Sequence, residues 1–289
     1  MIIDAHAHLW KTQTGRRDDK PVRSLTNGLS DFGGDVRQMA PPYMVSGENS
    51  PEMLIANMNY AGVNGAVIVG EVMDGNQNDY FLAAKKKYPD RLKICAFYDE
   101  GAPLTMEGFD GVKICACKLK TPGLQKLYPI FEAADKARKF VCIELSDGDA
   151  QTGELTEIIQ QLPTLKIAIG HFGMVTRKGW QAQIRLARHK NVYVESGGIT
   201  WLFNSEFYPY PSAVDAIREA AEICSMDKLM WGSDYPRTMV EITYKMSFDF
   251  ILKSDKLSEE EKRKFLFANA KAFFGFNSLP ALEPIANML

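Results

Sequence analysis

Short apolar runs alternate with longer amphipathic segments along the whole chain. Strand-like runs occupy residues 2–5, 65–69, 92–98, 111–114, 141–145, 166–170, 191–195 and 228–232. Each is short, rich in Val and Ile, and bounded by Gly, Pro or polar residues, without strict apolar/polar alternation. That pattern predicts strands buried on both faces, as in a parallel sheet. Helical periods fill the gaps at 51–60, 78–88, 123–139, 154–161, 179–189, 212–224 and 239–254. Ser50 precedes Pro51 as an N-cap before a first-turn proline. Ser258-Glu259-Glu260-Glu261 reads as a capping box opening a helix over 259–267. The stretch 99–110 carries the weakest helical period. Eight strands separated by helices predict a single-domain (β/α)8 TIM barrel over residues 1–276, with a tail over 277–289. The rival is an open, doubly wound sheet, whose first turn is commonly glycine-rich. Here that turn is His6-Ala7-His8-Leu9-Trp10, with no glycine. The segment 11–49 reads as a long loop over the catalytic face. The apolar tail from Ser278, with its two prolines, is expected to pack on the barrel or on another subunit.

Composition narrows the class. Hydrophobic residues make up 46% and charged residues 24%, as in a folded soluble chain. A net charge of −2 gives no electrostatic basis for binding nucleic acid or an anionic membrane. The N-terminus is charged within four residues and lacks the apolar run of a signal peptide, and nothing has the length of a membrane span. Five cysteines, an odd number, are expected to be reduced thiols in the cytoplasm. Cys115 and Cys117 lack zinc-knuckle spacing and are expected to be structural.

The chemistry gathers at strand ends. Only four histidines occur, and two of them form His6-x-His8 at the end of the first strand. Alternation by two puts both imidazoles on one face, and neutral imidazoles suit a borderline metal such as Zn, Fe, Mn or Co. Lys113, Glu144, His171, Glu195 and Asp234 end later strands. Ionisable groups at so many strand ends are better explained by one shared polar site than by separate caps. His189, within an Arg-His-Lys run, reads as a surface residue. Arg16, Arg17, Arg37 and Arg237 are candidates for holding a substrate carboxylate. Trp10, Trp201 and Tyr235 are candidate pocket walls, with Tyr208-Pro209-Tyr210-Pro211 as part of a rim.

Several motifs carry a family resemblance from residue 2 to about 276. They are Asp4-Ala5-His6-Ala7-His8-Leu9-Trp10, Ile169-Gly170-His171-Phe172-Gly173, Leu229-Met230-Trp231-Gly232-Ser233-Asp234-Tyr235-Pro236 and Asn269-Ala270-x-x-Phe273-Phe274-Gly275. In these the chain resembles the amidohydrolase superfamily, in the branch of aminocarboxymuconate-semialdehyde-type decarboxylases and sugar-acid or dicarboxylate lactonases. The resemblance implies that His6 and His8 bind a metal and that Asp234 is a ligand and proton carrier. Metal-binding relatives often have histidine where this chain has Glu144, so Glu144 is expected as the fourth ligand. Zinc is expected first, with manganese, iron or an empty site as alternatives. His171 would complete the metal shell or hydrogen-bond the substrate oxygen. Lys113, Trp10, Tyr235 and Arg237 would contact substrate, with Lys113 holding its carboxylate or polarising its carbonyl. The expected activity is metal-dependent hydrolysis of a small carboxylated or sugar-derived substrate, a lactone first. The alternative is nonoxidative decarboxylation of a small unsaturated or aromatic acid. A noncatalytic barrel is disfavoured by retention of His6-x-His8 together with Asp234. The expected partner is a small molecule, with no nucleic acid and no membrane, in a chain able to form a homo-oligomer.

Overall fold

Eight parallel strands form the centre of the protein, whose computed structural model describes residues 1–286. They are β1 (Ile3–Ala7), β2 (Gly65–Ile68), β3 (Leu92–Phe97), β4 (Gly111–Cys115), β5 (Phe140–Glu144), β6 (Ile167–Ile169), β7 (Val192–Glu195) and β8 (Leu229–Met230). Each pairs with the next in chain order. The ends meet: Ala5 N donates to Trp231 O (2.9 Å), and Ala7 bridges Tyr235 in parallel. Asp4 fastens this seam by accepting from Ser233 N (2.8 Å) and Tyr244 Oη (2.7 Å). The sheet is therefore the predicted (β/α)8 barrel, and nearly every strand residue is buried, as the unalternating apolar runs required. Inside it Ile3, Ala5, Val67, Cys95, Cys142, Ala168 and Met230 belong to one apolar cluster with Phe273 and Phe274 of the last helix and Phe276 just after it.

Helices α1 (Pro51–Ala61), α2 (Asn78–Lys87), α3 (Tyr128–Lys136), α4 (Thr152–Gln161), α5 (Gln181–Leu186), α6 (Pro211–Cys224), α7 (Met246–Lys253) and α8 (Glu259–Arg263) flank the barrel. Helix α1 starts where Ser50 Oγ accepts from Met53 N (3.3 Å) and ends at Gly62, whose φ of 76° a side chain would strain. Helix α6 buries Val214, Ile217, Ala220 and Cys224, the 3–4 residue spacing of one helical face. Residues 99–110 form turns and no helix, so β3 reaches β4 without a covering helix. The period over 123–139 yields α helix only from Tyr128, after a tight turn at Gln125–Leu127. That over 239–254 is broken, with a tight turn at Arg237–Val240 and regular helix resuming at Met246.

The segment 11–49 is not an irregular loop. It folds into a four-stranded antiparallel meander: Arg16–Arg17, Lys20–Ser24, Leu29–Phe32 and Val36–Gln38. Asn27-Gly28 and Gly33-Gly34 make its turns, all four residues but Gly34 having φ between 60° and 70°. The meander is tied to the barrel by Arg16 N to Val72 O (3.1 Å) and Thr14 N to Asp74 O (3.2 Å). In the tail, Leu279 packs on the barrel cluster and Asn64 Nδ2 donates to Pro280 O (3.0 Å). Residues 287–289 of the tail lie outside the described residues. Cys95, Cys115, Cys142 and Cys224 are buried free thiols, and Cys117 is an exposed one. No helix among the described residues is long and apolar enough to cross a membrane.

Candidate active site

The exits of β1, β5, β6, β7 and β8 converge at one end of the barrel. His6 and His8 lie on one face of β1, as alternation by two requires, with their Nε2 atoms 3.1 Å apart. Asp234, at a left-handed φ of 59° just past β8, brings Oδ1 to 2.9 Å from His8 Nε2. Such a conformation in a non-glycine residue is retained only where the surroundings enforce it. Trp201 Nε1 donates to the other Asp234 oxygen (2.9 Å). Burial opposes ionisation of Asp234, but nearby Arg237 and His171 help hold its carboxyl far below the usual range.

The outer ring nitrogens decide the protons. His8 Nδ1 lies 3.0 Å from the Val69 carbonyl, which can only accept. His6 Nδ1 lies 2.7 Å from Glu195 Oε1. Despite burial, Glu195 is held below the usual range by the His6 contact and by His171 and Lys113. Both Nδ1 atoms therefore carry hydrogen, and both Nε2 atoms turn inward. Burial and Arg237 lower His8 to about 4, so it is neutral near pH 7. The lone pair of neutral His8 Nε2 thus meets the Asp234 carboxylate at 2.9 Å, with His6 Nε2 3.1 Å from the same nitrogen. That is an unfavourable meeting of like dipoles and charge unless a cation sits there. The donor atoms of His6, His8 and Asp234 all lie within 4.8 Å of one another, and the set of two imidazoles and one carboxylate suits zinc, with harder divalent ions tolerated.

The next layer is differently protonated. His171 Nδ1 lies 2.8 Å from Gly197 O, and Nε2 lies 3.1 Å from Glu144 Oε1. Both partners accept, so both ring nitrogens donate and the imidazole is cationic. Burial works against that charge, yet Glu144 raises His171 to about 9. Glu144 Oε1 also accepts from the buried Lys113 ammonium. Burial notwithstanding, Lys113 and His171 hold Glu144 well below the usual range. The donor atoms of Glu144 group with those of His6 and His171, and separately with those of Glu71 and Cys115. Close approach makes two glycines necessary. A Cβ on Gly232 would lie 2.6 Å from Glu195 Oε2 and 2.7 Å from His6 Cβ, and one on Gly197 2.9 Å from the His6 ring.

A cavity of about 980 Å³ opens above this cluster, with Glu144, His171, Asp234 and Arg237 among its lining residues. The other expected contacts divide. Arg16, Arg17, Trp201 and Tyr210 also line the cavity. Lys113, expected at a substrate carboxylate, does not: it is 1% exposed and its charge is spent on Glu144. Trp10 is buried outside the lining, with Nε1 donating to Gly47 O (2.9 Å) and the Arg237 guanidinium over its ring at 5.6 Å. Tyr235 is buried against Tyr244, ring centroids 5.6 Å apart, and also stands outside the lining. Arg37 is exposed and pairs with Asp35.

Four residues take roles that the sequence reading did not give them. Glu195 orients His6, and Trp201 orients Asp234. Asp74, past β2, takes Arg237 NH2 (2.8 Å) and Gln13 Nε2 (2.9 Å) on one oxygen. Glu71, also past β2, pairs with Lys118 (2.7 Å). Acids three to six residues beyond a strand carry a weak signal. The indole of Trp201 carries none beyond its position after β7.

A model of the family described as Amidohydrolase matches residues 3–276. Similar solved structures include an Acinetobacter baumannii protein described as a probable 2-pyrone-4,6-dicarboxylic acid hydrolase with citric acid bound. It is 22% identical, covering 95% of this chain and 99% of that one, with a TM-score of 0.66. A Burkholderia multivorans amidohydrolase with bound zinc is 13% identical over 97% and 100%, TM-score 0.69. The 5-carboxyvanillate decarboxylase of Novosphingobium aromaticivorans, complexed with manganese, is 19% identical over 77% and 79%, TM-score 0.54. At these identities the likeness is one of fold. Among curated proteins none matches.

Proposed function

The chain belongs to the amidohydrolase family of enzymes, and from that premise we propose that it hydrolyses a small carboxylated or sugar-derived lactone. The observation that carries this reading is the convergence of His6 Nε2, His8 Nε2 and Asp234 Oδ1 beneath a substrate-sized cavity. A divalent ion held by His6, His8 and Asp234, zinc first and manganese or iron next, with Glu144 as a further donor, would supply Lewis acidity to the ester carbonyl and the attacking water. Asp234, kept anionic, accepts the proton that water loses as the new C–O bond forms. It then delivers that proton to the ring oxygen as the acyl C–O bond breaks, leaving a hydroxy acid. The His171 imidazolium offers a positive group to the oxygen on which charge develops. Arg237, steadied by Asp74, supplies a second cation for a substrate carboxylate.

Asp234→Asn tests the assignment. Lactone hydrolysis, followed with a pH indicator, should fall by about 100-fold or more while the protein stays folded. An unchanged rate would remove Asp234 from proton transfer.

One observation favours a second reading. Because both His171 nitrogens donate, His171 has a proton to give to a substrate carbon, which decarboxylation needs. Release of carbon dioxide from a candidate acid, with no lactone turnover, would move the assignment to that reaction.

A further inference from the structure

The two oxygens of Asp234 have different surroundings. Oδ1 lies 2.9 Å from His8 Nε2 and 3.8 Å from His6 Nε2, where the donor atoms converge. Oδ2 accepts from Trp201 Nε1 at 2.9 Å. Asp234 therefore turns one oxygen toward the imidazoles, and an indole holds the other. Both ends of that hydrogen bond are fixed by the backbone. Asp234 N donates to His6 O (2.9 Å), which ties this residue to β1. Trp201 sits on a short helical turn, Ile199–Leu202, that follows Gly197-Gly198. Gly198 has φ 70°, and a Cβ there would lie 1.7 Å from Trp201 Nε1. The indole reaches Asp234 only because that position has no side chain. Next to Trp201, the Thr200 hydroxyl bonds the Thr238 hydroxyl (2.7 Å), and Thr238 N donates to Asp234 O (3.4 Å). These bonds join the helical turn to the chain that leaves β8.

A carboxylate held in this way offers one donor oxygen. Turning Oδ2 toward the imidazoles would break its bond to the indole and leave that N–H without its partner. Glu144 does not make up the number, because its Oε1 is committed to Lys113 and His171. Two imidazoles and a single carboxylate oxygen form a small donor set, which suits a four-coordinate ion such as zinc. Ions that prefer six oxygen ligands, such as manganese, gain from a carboxylate free to present both oxygens.

Resting on the metal site of the proposed function, and deepening it, we propose that Trp201 is a positioning residue that sets the choice of metal. By holding Asp234 Oδ2, it restricts Asp234 to one donor oxygen and biases the site toward zinc over manganese. Gly198 is what lets the indole take that place.

The test is metal binding without turnover. Trp201→Phe and Gly198→Ala are made in the full-length protein and stripped of metal. Zinc and manganese affinities are then measured by competition with a chromophoric chelator. Trp201→Phe should weaken zinc by about ten-fold or more, the effect of losing a group that hydrogen-bonds a metal ligand. Manganese should weaken less, so the preference for zinc narrows. Gly198→Ala keeps the indole but displaces it, and should narrow the preference in the same direction. Cobalt(II) gives a second readout, because its d–d absorption is strong in a four-coordinate site and weak in a six-coordinate one. Per bound cobalt, that absorption should be weaker in Trp201→Phe than in the unsubstituted protein. A merely structural role would weaken zinc and manganese alike and leave the absorption per bound cobalt unchanged. That result, or no change in either readout, would overturn the inference while the metal site stands. If the unsubstituted protein binds neither zinc nor cobalt, the metal site falls and the inference with it. Lactone turnover is measured in parallel. If the preference narrows as expected while no lactone is opened, the reaction assignment fails and the role of Trp201 stands.

Discussion

At the residue scale, the site depends on which nitrogen of each imidazole holds a hydrogen. His6 and His8 use Nδ1 as donor and turn Nε2 inward, while His171 uses both nitrogens as donors. Glu195 enforces this at His6 and the Val69 carbonyl at His8. Glu195→Ala should weaken zinc binding by about 10–100-fold in a chelator competition, the range for losing a carboxylate behind a ligating histidine. Unchanged affinity would mean that the surrounding packing orients His6 unaided. His171 makes a pH prediction. Its folded value of about 9 stands above the ordinary imidazole value of 6.5. The stability it contributes is complete below about pH 6.5 and is lost as pH rises through 9. In chelator-treated protein, the melting temperature should therefore drop by a few degrees across that window, and His171→Gln should remove most of the drop. Parallel profiles for the two proteins would count against a cationic His171. Five of the residues in this cluster, His6, His8, Glu144, His171 and Asp234, were legible at strand ends. Which partner each of them takes was not. A hydrogen bond such as Trp201 to Asp234 joins residues 33 positions apart and leaves no periodicity in the chain.

At the scale of elements, local signals decided what formed. The capping box at Ser258 is present as the spacing predicts: Ser258 Oγ accepts from Glu261 N (3.3 Å), and Glu261 accepts from Ser258 N (2.7 Å). Ser258→Ala should cost about 1 kcal/mol of stability in denaturant unfolding, with activity retained. A loss near zero would show that α8 is held by tertiary packing alone. Local signals failed where two of them competed. The helical period over 239–254 is interrupted because the chain leaving Asp234 must first place Arg237 against Asp74, and only then re-enters a helix. The meander escaped notice because its strands are two to five residues long and largely exposed. They lack the apolar content that marked the barrel strands, although Asn27-Gly28 was available as a hairpin signal.

At the scale of the whole molecule, the barrel brings β1 and β8, more than 220 residues apart in the chain, into one seam. His6, His8 and Asp234 meet across it. A ligand that bridges the seam should stabilise the closed barrel by mass action. Zinc added to chelator-treated protein at 100 times its dissociation constant should contribute about 2.7 kcal/mol and raise the melting temperature. A melting temperature indifferent to both chelator and zinc would argue that no ion is held there. The sequence by itself determined the eight strands, their order, the barrel, and the strand ends that carry chemistry. Those features follow from burial and backbone period, which are written into consecutive residues. Only the tertiary structure decided the meander over the site, the burial of Lys113, Trp10 and Tyr235 away from the cavity, and the partner that each imidazole nitrogen faces. These depend on which distant groups accept, donate or exclude water at a given point, and that is fixed only once the chain has closed on itself.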